Sequence, residues 1–142
     1  MVTYKGLPAP LICDYLSREA SKTLYAPGTE FQIGKIELVA NTGTYVDSPF
    51  HRYPHGKDLS ELPLESLANL PCRVVRIPAG SARAIDRLPI SQAEARGCAV
   101  LIETGWDRHW RTDQYFETHP HLTGELAEWL VRAGAALVGI DS

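Results

Sequence analysis

The stretch TGELAEWLVRAGAALVGIDS, residues 123–142, decides the fold. Its first half predicts an amphipathic helix that Gly134 ends, and its second half is a continuous apolar run, typical of a buried strand. The pattern therefore predicts a helix that packs on a sheet and leads into one of its strands. The helix's apolar face, at three- and four-residue spacing, consists of Leu126, Trp129, Leu130 and Ala133.

The same order of elements continues upstream. Ser91 and Glu94 in SQAEARG form a capping box, and Gly97 ends this shorter helix. CAVLIETG (residues 98–105) follows as a buried strand, and CRVVRIPA (residues 72–79) is an earlier one. Strand, helix, strand, helix, strand predicts an α/β fold with parallel pairing through right-handed crossovers.

The first half of the chain has weaker signals. FQIGKIELVA (residues 31–40) alternates apolar and polar side chains and predicts a strand. LPLESLANLP (residues 62–71) allows one short helix between prolines. ICDYLSREAS (residues 12–21) fits either a short helix or a loop, and YKGLPAP (residues 4–10) predicts turn and extended chain.

The length and net charge of the chain limit the kinds of partner that it can bind. The 142 residues suit one domain, residues 1–142, and the net charge is −3 without a Lys/Arg cluster. We therefore expect neither nucleic acid nor an anionic membrane as partner, but a small-molecule substrate. No apolar run approaches the roughly 20 residues of a membrane helix, and the Pro and Gly residues in MVTYKGLPAP lead us to expect no secretion signal.

The cysteines indicate a reducing compartment. Cys13, Cys72 and Cys98 are odd in number, scattered and not in CxxC pairs. We predict buried free thiols rather than a disulfide or a metal site, and hence a cytoplasmic protein.

The candidate site is NTGTYVDSPFH, residues 41–51. If the preceding strand continues to Asp47, then Asn41, Tyr45 and Asp47 project on one side. His51 follows a proline, where a loop could fold it back toward Asp47. A carboxylate beside an imidazole suffices for general acid/base chemistry or for part of a metal site. The spacing alone leaves open a capped strand end with a surface histidine.

The same stretch resembles a known signature, H-x-G-T-H-x-D-x-P-x-H, of the cyclase family of metal-dependent hydrolases, which includes bacterial kynurenine formamidases. The second half of the chain is also similar to that family, with a strand ending in TGW, a Tyr-Phe pair, a His-Pro step before a helix, and a strand ending in GIDS. The resemblance covers nearly the whole chain. The matching signature residues are Gly43, Thr44, Asp47, Pro49 and His51.

The resemblance implies a fold and an activity. The fold would be a single α/β domain of the swivelling β/β/α type with a mixed sheet, in a homo-oligomer. The activity would be hydrolysis of a small molecule's amide, ester or lactone bond, as in the arylformamidase step of tryptophan catabolism. A divalent metal, zinc or manganese, would activate water. Asp47 would be a metal ligand, and His51 the catalytic acid/base.

This sequence departs from the signature at two metal ligands, because Asn41 and Tyr45 replace histidines. An asparagine oxygen is a poor zinc ligand, and a neutral tyrosine must lose its proton to bind metal. Ligation by Asn41 and Asp47 would suit manganese or magnesium better. Our hypothesis is that the metal requirement is altered or lost and that Tyr45 is a catalytic hydrogen-bond donor to an oxyanion. The alternative is a non-catalytic member that binds a small aromatic or acidic ligand.

The chain is shorter than members of the family at both ends, so we expect a fragment or a gene model that is cut at both ends. A third hypothesis follows, a structural subunit that completes its sheet only in an oligomer.

Other residues have weaker signals. We predict that Phe50, Trp106 and Trp110 bind substrate, although the aromatic loop that also holds Tyr115 and Phe116 could be core. Asp141, at a strand end, fits helix capping or a turn as well as it fits an active-site role. The remaining histidines are predicted to lie in loops, solvated or capping: His55, His109, His119 and His121.

Overall fold

The computed structural model describes residues 6–78 and 80–142. These residues form two compact units, one ending at Val46 and one spanning Asp47–Ser142. The predictions made for residues 4, 5 and 79 lie outside the described residues. The fold is α/β, with parallel and antiparallel sheets, as predicted.

The first unit is a β-α-β arrangement: β1 (Leu11–Leu16), α1 (Arg18–Leu24) and β2 (Ile33–Glu37). The two strands are antiparallel, with a register irregularity between Asp14 and Leu16. The prediction of a helix or a loop for residues 12–21 was wrong for residues 12–16, because their backbone pairs with β2. Only the residues after Ser17 are helical.

Two serines organise α1. The Ser17 side chain accepts a hydrogen bond from the Ala20 backbone N–H (3.1 Å) and so caps the helix. Ser21 is fully buried; its hydroxyl donates to the Arg18 carbonyl (2.7 Å) and accepts from the Phe31 N–H (3.0 Å). Ser21 thus connects the helix to the chain that enters β2, and its polar group is satisfied where it is buried.

The second unit contains the predicted parallel sheet. Its central strand pairs on both sides, in the order β3-β5-β7, and the two shortest strands, β4 and β6, form a separate parallel pair. The strands β3, β5 and β7 are somewhat shorter than predicted but lie where the sequence placed them, whereas β4 and β6 were not predicted. In chain order the elements are β3 (Cys72–Arg76), β4 (Ala84–Ile85), α2 (Gln92–Ala95), β5 (Ala99–Glu103), β6 (His121–Leu122), α3 (Gly124–Ala133) and β7 (Leu137–Ile140).

The core lies between one face of this sheet and the helices. Val100 and Ile102 of β5 are at most 1% exposed, whereas Leu101, which faces the other way, is 38% exposed. Burial of Leu126 and Leu130 from α3 contributes roughly 1.5–3 kcal/mol each. The predicted apolar face of α3 is confirmed, with Trp129 at its partly buried margin. The core cluster consists of Val75, Ile85, Leu88, Ala95, Val100, Ile102, Leu126, Leu130 and Ala133.

The ends of α2 and α3 meet. Gly134 has a positive φ of 77° and ends α3 as predicted, because glycine adopts this conformation without steric cost. The Gly97 N–H donates to the Gly134 carbonyl (2.8 Å). The glycine that follows α2 is thus hydrogen-bonded to the glycine that ends α3. The connections into β5 and β7 are thereby held side by side.

Residues 62–71 form one 3₁₀ turn, Leu64–Ser66, as the prolines allowed. All three cysteines carry free thiols, as predicted, but Cys13 and Cys72 are exposed and only Cys98 is buried. The prediction of burial was wrong for the first two, because they lie in strands that each have a single pairing neighbour. Within residues 6–78 and 80–142, no helix combines the length and the apolar character needed to cross a membrane.

The cap of α3 gives a stability test. The Thr123 hydroxyl accepts from the Leu126 N–H (3.2 Å), and Leu126 is a core residue. We expect Thr123→Ala to lower the free energy of unfolding by about 1 kcal/mol, measured by denaturant titration, because an orphan N–H loses its partner. Thr123→Ser keeps the hydroxyl and should keep the stability. Equal losses in both variants would show that the hydroxyl is not the stabilising group.

The capping box of α2 gives a pH test. Both hydrogen bonds of the box are present, and the Ser91 N–H and hydroxyl each donate to the Glu94 carboxylate (2.8 Å). The Ser91 backbone hydrogen bond, then its hydroxyl, holds the pKa of Glu94 below its ordinary value of 4.5. A depressed carboxylate pKa stabilises the fold above the unfolded-state pKa, and the contribution is lost as the pH falls through the folded-state pKa.

We therefore expect the thermal midpoint of the wild type to exceed that of Glu94→Gln at pH 7. The difference should shrink as the pH is lowered below 4.5. A difference that is constant across this range would contradict a role for the charge. Glu65→Gln, at an exposed 3₁₀ turn, is the control.

Candidate active site

The signature residues 41–51 do not form the predicted strand. β2 ends at Glu37, and residues 40–44 are bends. Gly43 has a positive φ of 76°, and the Thr42 hydroxyl donates to the Val39 carbonyl (2.5 Å), which closes a local turn. The prediction that Asn41, Tyr45 and Asp47 share one face of a strand was therefore wrong. Alternate side chains lie on one face only within a strand, and a turn interrupts that alternation.

The signature is also divided between the two units. Asn41 and Tyr45 belong to the first unit, and Asp47 and His51 to the second. The Tyr45 side chain is 50% exposed. Their predicted roles, weak metal ligand for Asn41 and hydrogen-bond donor for Tyr45, stay predictions.

His51 lies on a 3₁₀ turn, Pro49–His51. Proline favours the start of this turn, because its φ is already near the helical value and the missing N–H needs no partner. The His51 N–H donates to the Ser48 carbonyl (3.0 Å), so the turn brings the imidazole back along the chain. Phe50, the predicted substrate contact, lies on the same turn and is exposed.

The turn places His51 beside Asp47, as the sequence suggested. His51 Nδ1 lies 3.3 Å from Asp47 Oδ1, and both side chains are about half exposed. With Nδ1 facing a carboxylate, the neutral tautomer that donates from Nδ1 is favoured, so Nε2 carries the lone pair. The pair can therefore accept a proton from water at Nε2 and return it to a leaving group.

The donors in this region do not make up a metal site. Within the described part of the chain, no three or more His, Cys, Asp or Glu side chains are grouped so as to hold an ion. The second unit contributes one carboxylate and one imidazole here, and zinc sites need three or four protein ligands. The predicted divalent metal therefore does not fit the described donors.

The aromatic segment after β5 is a packed cluster on two 3₁₀ turns, Trp106–His109 and Asp113–Phe116. The Trp106 indole N–H donates to the Tyr115 carbonyl (3.0 Å), which connects the turns. Trp110 contacts Tyr115 edge to face, with ring centroids 5.0 Å apart, and remains 40% exposed. The predicted substrate contacts Trp106 and Trp110 therefore share one cluster, part packed and part open to a ligand.

A guanidinium group lies over this cluster. Arg108 is 6.0 Å from the Trp106 ring centroid, and its Nε is 3.1 Å from His109 Nε2. The ring centroids of His109 and Trp106 are 4.4 Å apart, and His109 is partly buried. The prediction of a solvated His109 was therefore wrong. The cluster thus combines an apolar surface with a cation.

Asp141 anchors this cluster to the sheet. Its carboxylate accepts hydrogen bonds from the Thr104 N–H (2.8 and 3.0 Å), the Thr104 hydroxyl (2.5 Å) and the Gly105 N–H (2.8 Å). The Asp141 carboxylate thus caps the backbone after β5, and an active-site role for Asp141 stays a prediction. Thr104 was not predicted as a partner of Asp141, although polar residues at the ends of two neighbouring parallel strands indicate such a contact.

The other histidines behave as loop residues except one. His55 is exposed, and the His119 ring contacts the Pro120 carbonyl (3.1 Å). His121 lies in β6 opposite Ala84, which corrects the loop prediction, because its backbone N–H donates to the Arg83 carbonyl.

Comparison with known proteins identifies the family of this chain. The family model described as "Putative cyclase" matches residues 7–142. The chain belongs to the cyclase family. Kynurenine formamidase from Bacillus cereus is 26% identical over 110 residues, which are 77% of this chain and 50% of that protein. Kynurenine formamidase from Geobacillus thermodenitrificans is 33% identical over 111 residues, with the same two shares. The chain spans about half the length of these relatives.

The Asp141 anchor gives a prediction. We expect Asp141→Asn to lower the free energy of unfolding by about 1.5–3 kcal/mol, because a carboxylate that accepts several hydrogen bonds is replaced by a group with one acceptor oxygen. The emission spectrum of the tryptophans should also shift, since Trp106 follows the anchored turn. The exposed Asp86→Asn is the control for charge loss. An unchanged spectrum and stability in Asp141→Asn would refute the anchor.

Proposed function

We propose that this chain belongs to a hydrolase that resembles kynurenine formamidase and cleaves an amide, ester or lactone bond of a small molecule, with His51 as acid/base. The observation that carries the proposal is the 3.3 Å contact between Asp47 and His51 on the signature turn of a cyclase-family chain. The relatives that bear the name kynurenine formamidase support an acyl substrate with a C–N bond.

The chemistry follows from the orientation of the imidazole. Nε2 of His51 takes a proton from water as the water oxygen attacks the carbonyl carbon. Asp47, facing Nδ1, stabilises the imidazolium that forms. The carbon–nitrogen or carbon–oxygen bond then breaks, and the proton on Nε2 passes to the leaving nitrogen or oxygen. The pair is regenerated with one water consumed.

No step is assigned to a metal, because the described donors do not fit one. The metal requirement of the family resemblance stays a prediction. It is checked by elemental mass spectrometry of protein purified without chelator. One zinc or manganese ion per chain would contradict the hypothesis that Asn41 and Tyr45 replace the metal.

The aromatic cluster favours a second candidate, a non-catalytic member that binds a small aromatic or acidic ligand. The exposed part of Trp110 supplies a surface for stacking, and Arg108 supplies a positive charge. This candidate requires no turnover. It therefore predicts binding that is insensitive to the acid/base pair.

The test is hydrolysis of a panel of formamides, esters and lactones by the wild type and three variants. His51→Ala should lower kcat by roughly 10²–10⁴-fold, because the proton acceptor is lost. Asp47→Asn should lower kcat by a smaller factor than His51→Ala does, because the imidazole that accepts the proton remains. His55→Ala removes an exposed imidazole from the same loop and should leave kcat unchanged.

The outcomes separate the candidates. Equal losses in His51→Ala and His55→Ala would overturn the acid/base assignment. A wild type that turns over nothing in the panel but binds aromatic acids would support the non-catalytic candidate, and Trp110→Ala should then abolish binding. The predictions of a homo-oligomer, of one domain and of a cytoplasmic location remain open to their own measurements.

A further inference from the structure

We propose that Gly56 is a positioning residue for His51, because it closes the loop that holds the Pro49–His51 turn beside Asp47. The inference rests on the proposed function of His51 and adds a residue outside the signature. It depends on contacts within the second unit alone.

The loop is closed by backbone hydrogen bonds that converge on Pro49. The Pro49 carbonyl accepts from the N–H groups of Arg52 (3.2 Å) and Tyr53 (2.9 Å). The Gly56 N–H donates to the Tyr53 carbonyl (2.8 Å), and the Phe50 N–H donates to the Lys57 carbonyl (3.1 Å). Residues on both sides of His51 are therefore fixed by the returning chain.

Gly56 lies where these bonds leave no space. A Cβ atom at Gly56 would lie 2.7 Å from the Pro49 carbonyl carbon and 2.8 Å from its oxygen. Both are backbone atoms, so no side chain can turn aside to make room. The φ of Gly56 is not in the left-handed region, so the glycine is required by the close approach and not by its conformation.

A side chain at Gly56 would also affect the position of His51. A methyl group at Gly56 must displace the Pro49 carbonyl, which accepts the bonds that form the turn. His51 is two residues from Pro49 and reaches Asp47 through this turn. We infer that a substitution at Gly56 separates the imidazole from the carboxylate while the core, which this loop does not enter, stays folded.

The experiment compares Gly56→Ala with Gly124→Ala. A Cβ at Gly124 meets nothing within 4 Å and its φ is ordinary, so the second variant makes the same chemical change without a clash. Circular dichroism checks that both variants fold. Amide hydrogen exchange followed by NMR reports loop closure at Phe50, Arg52 and Tyr53, and the ring resonances of His51 report its surroundings.

In Gly56→Ala, exchange at these three amides should become roughly tenfold faster or more, and the His51 ring resonances should move toward those of Asp47→Ala. Gly124→Ala should leave the exchange rates and the ring resonances unchanged. If the wild-type amides already exchange at unprotected rates, or if Gly56→Ala leaves the His51 resonances in place, the positioning role is overturned. These readouts decide the proposal whether or not the chain hydrolyses a substrate.

Turnover then tests the proposed function separately. If the chain is a hydrolase, Gly56→Ala should lower kcat at least tenfold with a smaller change in KM, because His51 is misplaced and the aromatic cluster is not. If Gly56→Ala displaces His51 but leaves kcat unchanged, His51 is not the catalytic acid/base. The positioning role of Gly56 would still hold.

Discussion

The second unit depends on β5 as the central strand of its parallel sheet. β5 pairs with β3 on one side and β7 on the other, and its inward residues Val100 and Ile102 are almost fully buried. A strand in this position has all its backbone groups satisfied by neighbours, so its end is fixed in space. Thr104 and Gly105 follow that end directly, and the aromatic cluster begins there. The position of the aromatic cluster is therefore set by the sheet.

The elements predicted well are those with local causes. The capping box at Ser91, the hydroxyl cap at Thr123 and the glycine at 134 each form from residues within a few positions, so the sequence alone shows them. Strand β1 was missed because residues 12–16 owe their conformation to pairing with β2, about 20 positions away in the chain. The sequence of β1, LICDYL, is apolar except at Asp14, so it lacks the alternation of apolar and polar side chains that marks a half-buried strand.

The candidate site was predicted in part for the same reason. The contact between Asp47 and His51 follows from Pro49 and a turn of five residues, which is local. The common face of Asn41, Tyr45 and Asp47 required a strand that runs past Gly43, but β2 already ends at Glu37 and the backbone at Gly43 is left-handed. Gly56 could not be found from the sequence, because its role is a contact with Pro49 rather than a pattern.

The two groups of predicted site residues are thus held by different means. The backbone just before Trp106 is fixed by the Asp141 carboxylate at the end of β7, whereas His51 is fixed by the carbonyls of its own loop. A loop closed by a few exposed backbone hydrogen bonds opens at lower free energy than a buried strand does. The contact between Asp47 and His51 is therefore more sensitive to small local changes than the hydrogen bonds of Asp141 are. Substitutions near Pro49 should affect this contact before they affect the fold, and substitutions at Asp141 should affect the fold first.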